Sequence, residues 1–184
     1  MKGIYIAGSH LKITGVFGNS KLSLDKKEKK RPATMKGCYA LLIRLPEKEN
    51  IEVGKRGSWS FRPGYYAYVG SAMGGLEGRI NYHLGNKKRL YWHIDYLLAK
   101  ASIEEIIFSE TPDKIECALA QNLGKTFSSI AGFGASDCKC ESHLYFARKK
   151  DKLRKKIKAA FSQAGFHSTL KHIQEFNPRG RKIK

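Results

Sequence analysis

Tyr65-Tyr66-Ala67-Tyr68-Val69-Gly70-Ser71-Ala72, with the residues just after it, decides how this chain is read. The part before Gly70 is aromatic and β-branched, the composition of a buried strand. Gly70 to Gly75 then supplies small residues for a tight turn from strand to helix. Beyond the turn, Leu76, Ile80 and Leu84 recur every fourth residue and Gly85 follows, so the spacing predicts a helix over 75–84 with one apolar stripe. Arg79 and His83 are also four apart and share a neighbouring stripe. A strand tyrosine, an arginine and a histidine therefore converge beside the turn, in the pattern of a phosphate site.

Working outward, Gly37 to Leu45 reads as a mostly buried strand, and Ile51–Val53 with Ser58–Phe61 as a short hairpin around Gly54 to Gly57. Strand alternation puts Tyr66 and Tyr68 on one face, so one of them has packing as its simplest role. Trp92 to Leu98 suits a helix and Ile103 to Phe108 a third core strand. Thr111-Pro112-Asp113 has the N-cap candidate, first-position proline and early acid of a helix start, with the helix running to Gly124. Gly132 to Ser136 is a loop and His143 to Ala147 resembles a last strand. From Arg148 onward, Leu153, Ile157 and Phe161 mark the apolar face of a lysine-covered helix. The fold class expected is α/β (α+β): a three-stranded, largely antiparallel sheet flanked by helices, with an inserted hairpin. Three regions follow: an N-terminal extension and Lys-rich linker over 1–34, a central domain over 35–147, and a basic helical extension over 148–184.

The chain has 184 residues and a formal net charge of +19, concentrated in its flanks. Residues 148–184 carry 13 Lys/Arg against Asp151 and Glu175, whereas 37–147 holds 13 basic and 12 acidic residues. Basic flanks around a balanced centre attract polyanions through counterion release, and nucleic acid is the partner this favours over an anionic membrane surface. The alternative is that the lysines only solvate the protein. No apolar run approaches the ~18 residues of a membrane span. Four cysteines without a secretion signal point to a reducing, cytoplasmic setting.

Taken singly, Tyr39, Tyr68, Arg79, His83 and Glu116 have plain structural readings: core tyrosines, surface groups, a charge near a helix N-terminus. Their order along the chain resembles the GIY-YIG nuclease superfamily. Gly37-Cys38-Tyr39 stands for the first half-motif and Tyr68-Val69-Gly70 for the second, with Arg79, His83 and Glu116 at the family's arginine, its polar partner and its metal-binding glutamate. Gly3-Ile4-Tyr5 spells the first half-motif literally but lies across a Lys-rich linker and is rejected. Tyr65–Gly75, Trp92–Leu98 and the run from Gly132 to Leu144 are similar to a particular branch, found alone or fused to endonuclease III-type DNA glycosylases.

The resemblance implies a metal-dependent endonuclease, a phosphodiester hydrolase tied to DNA repair and acting on structured DNA. It implies Tyr39, Tyr68, Arg79, His83 and Glu116 as catalytic residues and one Mg²⁺ or Mn²⁺ on Glu116. It also implies DNA or other nucleic acid as partner, and a DNA glycosylase as a second. Lys87, Lys88 and Arg89, with Arg154, Lys155 and Lys156, are the candidates for gripping the backbone. The rival readings are a non-catalytic nucleic-acid-binding module and an accessory partner of a glycosylase. Two departures bear on catalysis. Tyr39 and Tyr68 are 29 positions apart, a long connection for the family, so the 46–64 insertion covers the site or adds a surface. Ser71 stands where repair-type relatives have a lysine.

A second chemistry lies in Cys138, Cys140 and His143, three soft ligands within six residues, with Cys117 a candidate fourth. Zinc accepts such a set, but C-x-C is tighter than the usual C-x₂₋₄-C, so buried thiols or a disulfide formed on oxidation stand beside it. Trp92, His93 and Asp95 either flank the site or anchor their helix on the sheet.

Overall fold

The structure is a computed structural model and describes residues 34–53, 57–85 and 90–173. The chain divides at Arg31–Pro32, and the described residues belong to the second unit, Pro32–Lys184. In chain order the elements are β1 (Gly37–Leu45), β2 (Glu49–Glu52), β3 (Ser58–Phe61), β4 (Gly64–Ala72), α1 (Leu76–Leu84), α2 (His93–Leu98), β5 (Ser102–Glu110), α3 (Glu116–Gly124), β6 (Ser128–Ser129), β7 (Leu144–Ala147), α4 (Lys150–Gln163) and β8 (Thr169–His172). The fold is α+β with helices flanking a sheet, as expected, but the sheet is larger. Six strands pair antiparallel in the order β6-β7-β4-β1-β5-β8, and β2 and β3 form a separate hairpin. The expected three strands are its centre, with β1 between β4 and β5. The outer strands β6 and β8 have only two and four residues, too few for an alternating pattern to declare itself.

The two faces of the sheet sort by alternation. Tyr39, Leu41, Ile43, Tyr66 and Tyr68 join Leu76 and Ile80 of α1, Ile94 and Leu97 of α2 and the hairpin residues Ile51 and Phe61 in one core. Cys38, Ala40, Leu42, Ala67 and Val69 join Leu119 and Leu123 of α3 and Leu153, Ile157 and Phe161 of α4 in the other. The apolar stripe expected of residues 148–184 is therefore core: α4 closes the second face, and β8 pairs with β5, so the basic extension is continuous with the domain through its described part.

Alternation fails in one place. The β1–β5 register shifts between Leu42 and Ile43, leaving Glu104 outside the ladder. The bulge presents Glu104 and the buried Glu105 together toward α4, where Lys150 reaches Glu104 at 2.8 Å and Arg154 donates Nε and Nη2 to the two Glu105 carboxylate oxygens at 2.6 Å each. Burial alone would raise the Glu105 carboxyl, but the Arg154 fork and Lys150 outweigh it and hold its pKa below the ordinary value.

The expected start of α3 is displaced. Thr111 Oγ1 accepts from the Asp113 amide at 3.0 Å, so Thr111-Pro112-Asp113 closes a side-chain turn of its own instead of capping the helix. The helix begins five residues later at Glu116, which places that carboxylate in the first turn, where the helix dipole favours an anion.

Candidate functional site

One open cavity of about 440 Å³ is lined by Tyr39, Tyr68, Arg79, His83 and Glu116 together, with Ser71, Tyr91, Trp92, His93, Asp137 and His143 also on its wall. Sheet geometry explains the convergence. β7 pairs with β4 only as far as Tyr68–Leu144, so beyond Tyr68 the edge of β4 meets the loop before β7 through Val69 N–H donating to His143 O. At that end α3 delivers Glu116 from one face of the sheet while α1 delivers Arg79 and His83 from the other.

The glycine of each half-motif has a steric task. Gly70 sits opposite Tyr39 in the ladder, and a Cβ there would lie 2.7 Å from the Tyr39 hydroxyl oxygen. A Cβ on Gly37 would collide with the Ser109 carbonyl and lie 2.5 Å from a Leu76 methyl, so α1 can pack over β1 only because the residue is glycine.

Tyr39 and His83 are joined, hydroxyl oxygen to Nε2, at 2.8 Å, and both side chains are buried. On the other side of the ring, His83 Nδ1 stands 3.9 Å from Oδ1 of Asp95, a fully buried carboxylate. The second Asp95 oxygen accepts from the Tyr91 and Trp92 amides at 3.0 and 2.9 Å and from the Tyr82 hydroxyl at 3.1 Å. Asp95 thus secures the start of α2 and stands behind His83, off the cavity wall. Burial, and then the neighbouring Tyr68, push the Tyr39 phenol well above its ordinary pKa, with the Arg79 charge pulling the other way. Burial likewise pushes Tyr68 up to about 12 against the same guanidinium. Both tyrosines are neutral at physiological pH. Arg79 itself lies over the Trp92 ring, 4.1 Å from its centroid, which holds the guanidinium in place while it lines the cavity.

Glu116 accepts from Ser71 Oγ at 3.2 Å and from the Cys38 thiol at 3.6 Å. Ser71, read from the sequence as the loss of a phosphate-binding lysine, positions the carboxylate instead. Burial first, opposed by the Ile115 amide, leaves the Cys38 thiol pushed up to about 11, so it serves as a neutral donor.

None of the described residues of the 46–64 insertion lies on the cavity wall. Phe61 and Trp59 pack edge-on against Phe133, and Trp59 Nε1–H donates to the Ala131 carbonyl at 3.3 Å, so the hairpin braces the loop that forms one side of the cavity. Gly134 in that loop has φ of 71° and lies so close to Tyr68 that a Cβ would sit 2.9 Å from the ring.

Cys117, Cys138, Cys140 and His143 come together as well: their ligand atoms all lie within 4.8 Å of one another. This Cys₃His cluster can hold a metal ion. Burial pushes the Cys117 thiol up to about 12, with its cysteine neighbours adding to the shift, and burial lowers the His143 imidazole against the pull of Glu116 and Asp137.

The expected backbone-gripping groups divide. Lys87, Lys88 and Arg89 lie outside the described residues. Arg154, partly exposed, is engaged within the fold, its guanidinium bonded to Glu105 and to Asp151 at 2.9 Å. Lys155 is exposed and Lys156 partly so, on a helix that has no residue on the cavity wall.

A family model described as Domain of unknown function DUF123 matches residues 38–166. The chain belongs to this family. The DUF123 span runs from β1 through α4 and encloses every residue of the cavity wall and of the Cys₃His cluster. Comparison with curated proteins and with solved structures returned no match for this DUF123 chain. No helix among its described residues is long and apolar enough to cross a membrane.

Proposed function

We propose that this protein is a metal-dependent endonuclease of the GIY-YIG type, hydrolysing phosphodiester bonds in structured DNA in the course of repair. The observation that carries the reading is the meeting of Tyr39, Tyr68, Arg79, His83 and Glu116, spread over 78 positions of sequence, on one cavity wall. Glu116, half-buried with a serine beside it, suits Mg²⁺ or Mn²⁺, which keep most of their waters and take one or two protein oxygens plus substrate phosphate. Glu116 is the residue that would hold the ion. Bound there, the cation neutralises charge developing on the phosphate and the leaving oxygen.

The chain's own groups supply the rest. Arg79, steadied on Trp92, offers a planar fork to the phosphate oxygens as negative charge builds on them. Tyr68, protonated, donates to a phosphate oxygen. With the His83 Nδ1 proton turned toward the Asp95 carboxylate, Nε2 accepts from the Tyr39 hydroxyl. Tyr39 can then take a proton from the attacking water as it passes its own to His83, so no free phenolate is required. Asp95 orients the imidazole and balances the charge it gains. On the same reading the protein works in the cytoplasm, where its cysteines stay reduced, with DNA and a DNA glycosylase as its partners.

The test is nicking of supercoiled plasmid and of flap, bubble and junction DNAs with Mg²⁺ or Mn²⁺. Glu116→Gln and Arg79→Ala are expected to abolish cleavage and retain binding. Asp95→Asn, which keeps the size of the side chain, is expected to lower turnover about 100-fold with little change in DNA affinity. No cleavage by the wild type under either metal, with salt-sensitive binding intact, would leave a nucleic-acid-binding module and remove the enzyme. Salt-insensitive, stoichiometric association with a glycosylase would favour the accessory role.

A further inference from the structure

We infer that Cys117, Cys138, Cys140 and His143 form a closed, four-coordinate zinc site, separate from Glu116, that clamps the loop before β7 onto the first turn of α3. The donors come from three places in the chain: Cys117 at the start of α3, Cys138 and Cys140 in the loop, and His143 at the threshold of β7. In a tetrahedral site with Zn–S of about 2.3 Å and Zn–N of about 2.0 Å, sulfurs stand about 3.8 Å apart and sulfur and nitrogen about 3.5 Å. Here all four donor atoms fall within 4.8 Å of one another, and Cys138 Sγ already lies 3.4 Å from His143 Nε2. Only a small contraction separates this cluster from coordination. The tight C-x-C spacing ceases to be an objection, because Cys117 and His143 complete the set from outside the loop.

The donor set selects the ion. Three thiolates and an imidazole are soft and borderline ligands that suit zinc and reject Mg²⁺ or Ca²⁺, and four protein ligands leave no position for water or substrate, so the site is structural. Binding is balanced by loss of the three thiol protons to solvent as three Zn–S bonds form, with His143 contributing a lone pair.

The loop gives the ion a task. Residues 130–143 contain no helix or strand, yet Gly134, Ser136, Asp137 and His143 form part of the cavity wall. The loop's first half is anchored by Phe133, packed on Trp59 and Phe61, and by Gly134 N–H donating to His93 Nδ1 at 3.0 Å, and backbone bonds tie its two ends together, among them Gly132 N–H to Glu141 O at 2.8 Å and His143 N–H to Phe133 O at 2.8 Å. A zinc ion would fasten its far end to α3 one residue from Glu116. This effect on Glu116 rests on the nuclease reading, whereas the zinc site does not.

The full-length wild-type protein, purified under reducing conditions without chelator, is expected to carry one zinc per chain by elemental analysis. Exchange to Co²⁺ should give the strong visible bands of a tetrahedral thiolate site together with sulfur-to-cobalt charge transfer. Thiol titration of the native protein should show three cysteines unmasked by chelation, a readout that needs no variant, and chelation should lower Tm by more than about 5 °C. Cys138→Ser and Cys140→Ser should lose the charge-transfer band in proportion to the thiolate removed, while Cys38→Ala, outside the cluster, keeps the metal. A wild-type chain that stays below one-tenth zinc after incubation with excess ion, one that holds iron in its place, or one whose mass shows a disulfide within the cluster overturns the proposal. A protein that binds zinc and cuts no DNA retains this site and loses the nuclease reading.

Discussion

Tyr39, Tyr66, Tyr68 and Tyr145 all have phenols raised above the ordinary range, in each case chiefly by burial. For Tyr66 and Tyr68 the value reaches about 12. An unfolded tyrosine ionises near pH 10, so between about pH 10 and 12 the folded protein keeps protons that the unfolded chain has released. The tyrosine contribution to stability is therefore fully present below about pH 10 and is lost as pH rises through the folded values. The urea midpoint should be flat with respect to these groups up to about pH 9 and fall steeply above pH 10, while absorbance at about 295 nm shows part of the tyrosine population ionising only on unfolding. Tyr39→Phe should make the alkaline slope shallower. An unchanged slope in that variant, or a full tyrosine signal in the native protein near pH 10, would contradict the buried neutral hydroxyl on which the Tyr39–His83 relay depends. Residue chemistry of this kind was only half legible in the sequence. The half-motifs nominated Tyr39 and Tyr68, but nothing in spacing could tell that Asp95 stands behind His83 or that Ser71 donates to Glu116, since both contacts form between elements that meet only after folding.

At the scale of elements, α4 shows a sequence pattern that is sound and a structural role that the pattern alone does not tell. The four-residue spacing of Leu153, Ile157 and Phe161 correctly announced an amphipathic helix. Its lysine-rich remainder suggested an appendage for nucleic acid, yet the apolar stripe covers one face of the sheet and Arg154 is fixed over Glu105. The bulge in β5 that turns Glu104 and Glu105 toward this helix breaks alternation, so no period-two reading would have found the ion pairs. The central strands β1, β4 and β5 were legible because each has nine residues and a mostly buried pattern, while the displaced start of α3 was hidden by a threonine side chain that bonds two residues ahead instead of capping. Arg154→Ala leaves the Glu105 carboxylate buried without its main partner, and the expected loss is about 2–3 kcal/mol of unfolding free energy, discounted from a fully buried pair because the arginine is partly exposed. Replacing both residues, Glu105→Leu with Arg154→Met, should recover most of it. DNA affinity should change little in Arg154→Ala if the folded fraction is kept equal. A variant with wild-type stability and weakened binding would instead return Arg154 to the nucleic-acid surface.

For the molecule as a whole, charge and site occupy different parts of the chain. Residues 37–147, which contain the site, hold 13 basic and 12 acidic residues, and among the described residues the cavity wall supplies one guanidinium, Arg79, against the carboxylates of Glu116 and Asp137. On the nuclease reading, a phosphodiester entering that wall meets one described guanidinium, so long-range attraction and backbone grip would come from basic residues elsewhere. Arg179, Arg181, Lys182 and Lys184 are one such group, at the end of the sequence. Changing all four to Gln in the full chain removes four charges and leaves every described residue of the cavity wall unchanged. If each neutralises a phosphate, the slope of log affinity against log salt should become shallower by about 3.6 for duplex DNA, with Glu116-dependent cleavage preserved at saturating substrate. The separation of grip from chemistry then appears as KM rising steeply with salt while kcat stays level. An unaltered slope would mean that these residues do not meet the backbone and that the grip belongs to Lys155, Lys156 and other basic residues of the chain. A fall in kcat at saturation would mean that these residues act at the cavity, and the proposed division of labour between a polyanion-attracting flank and a nearly neutral cavity wall would have to be abandoned.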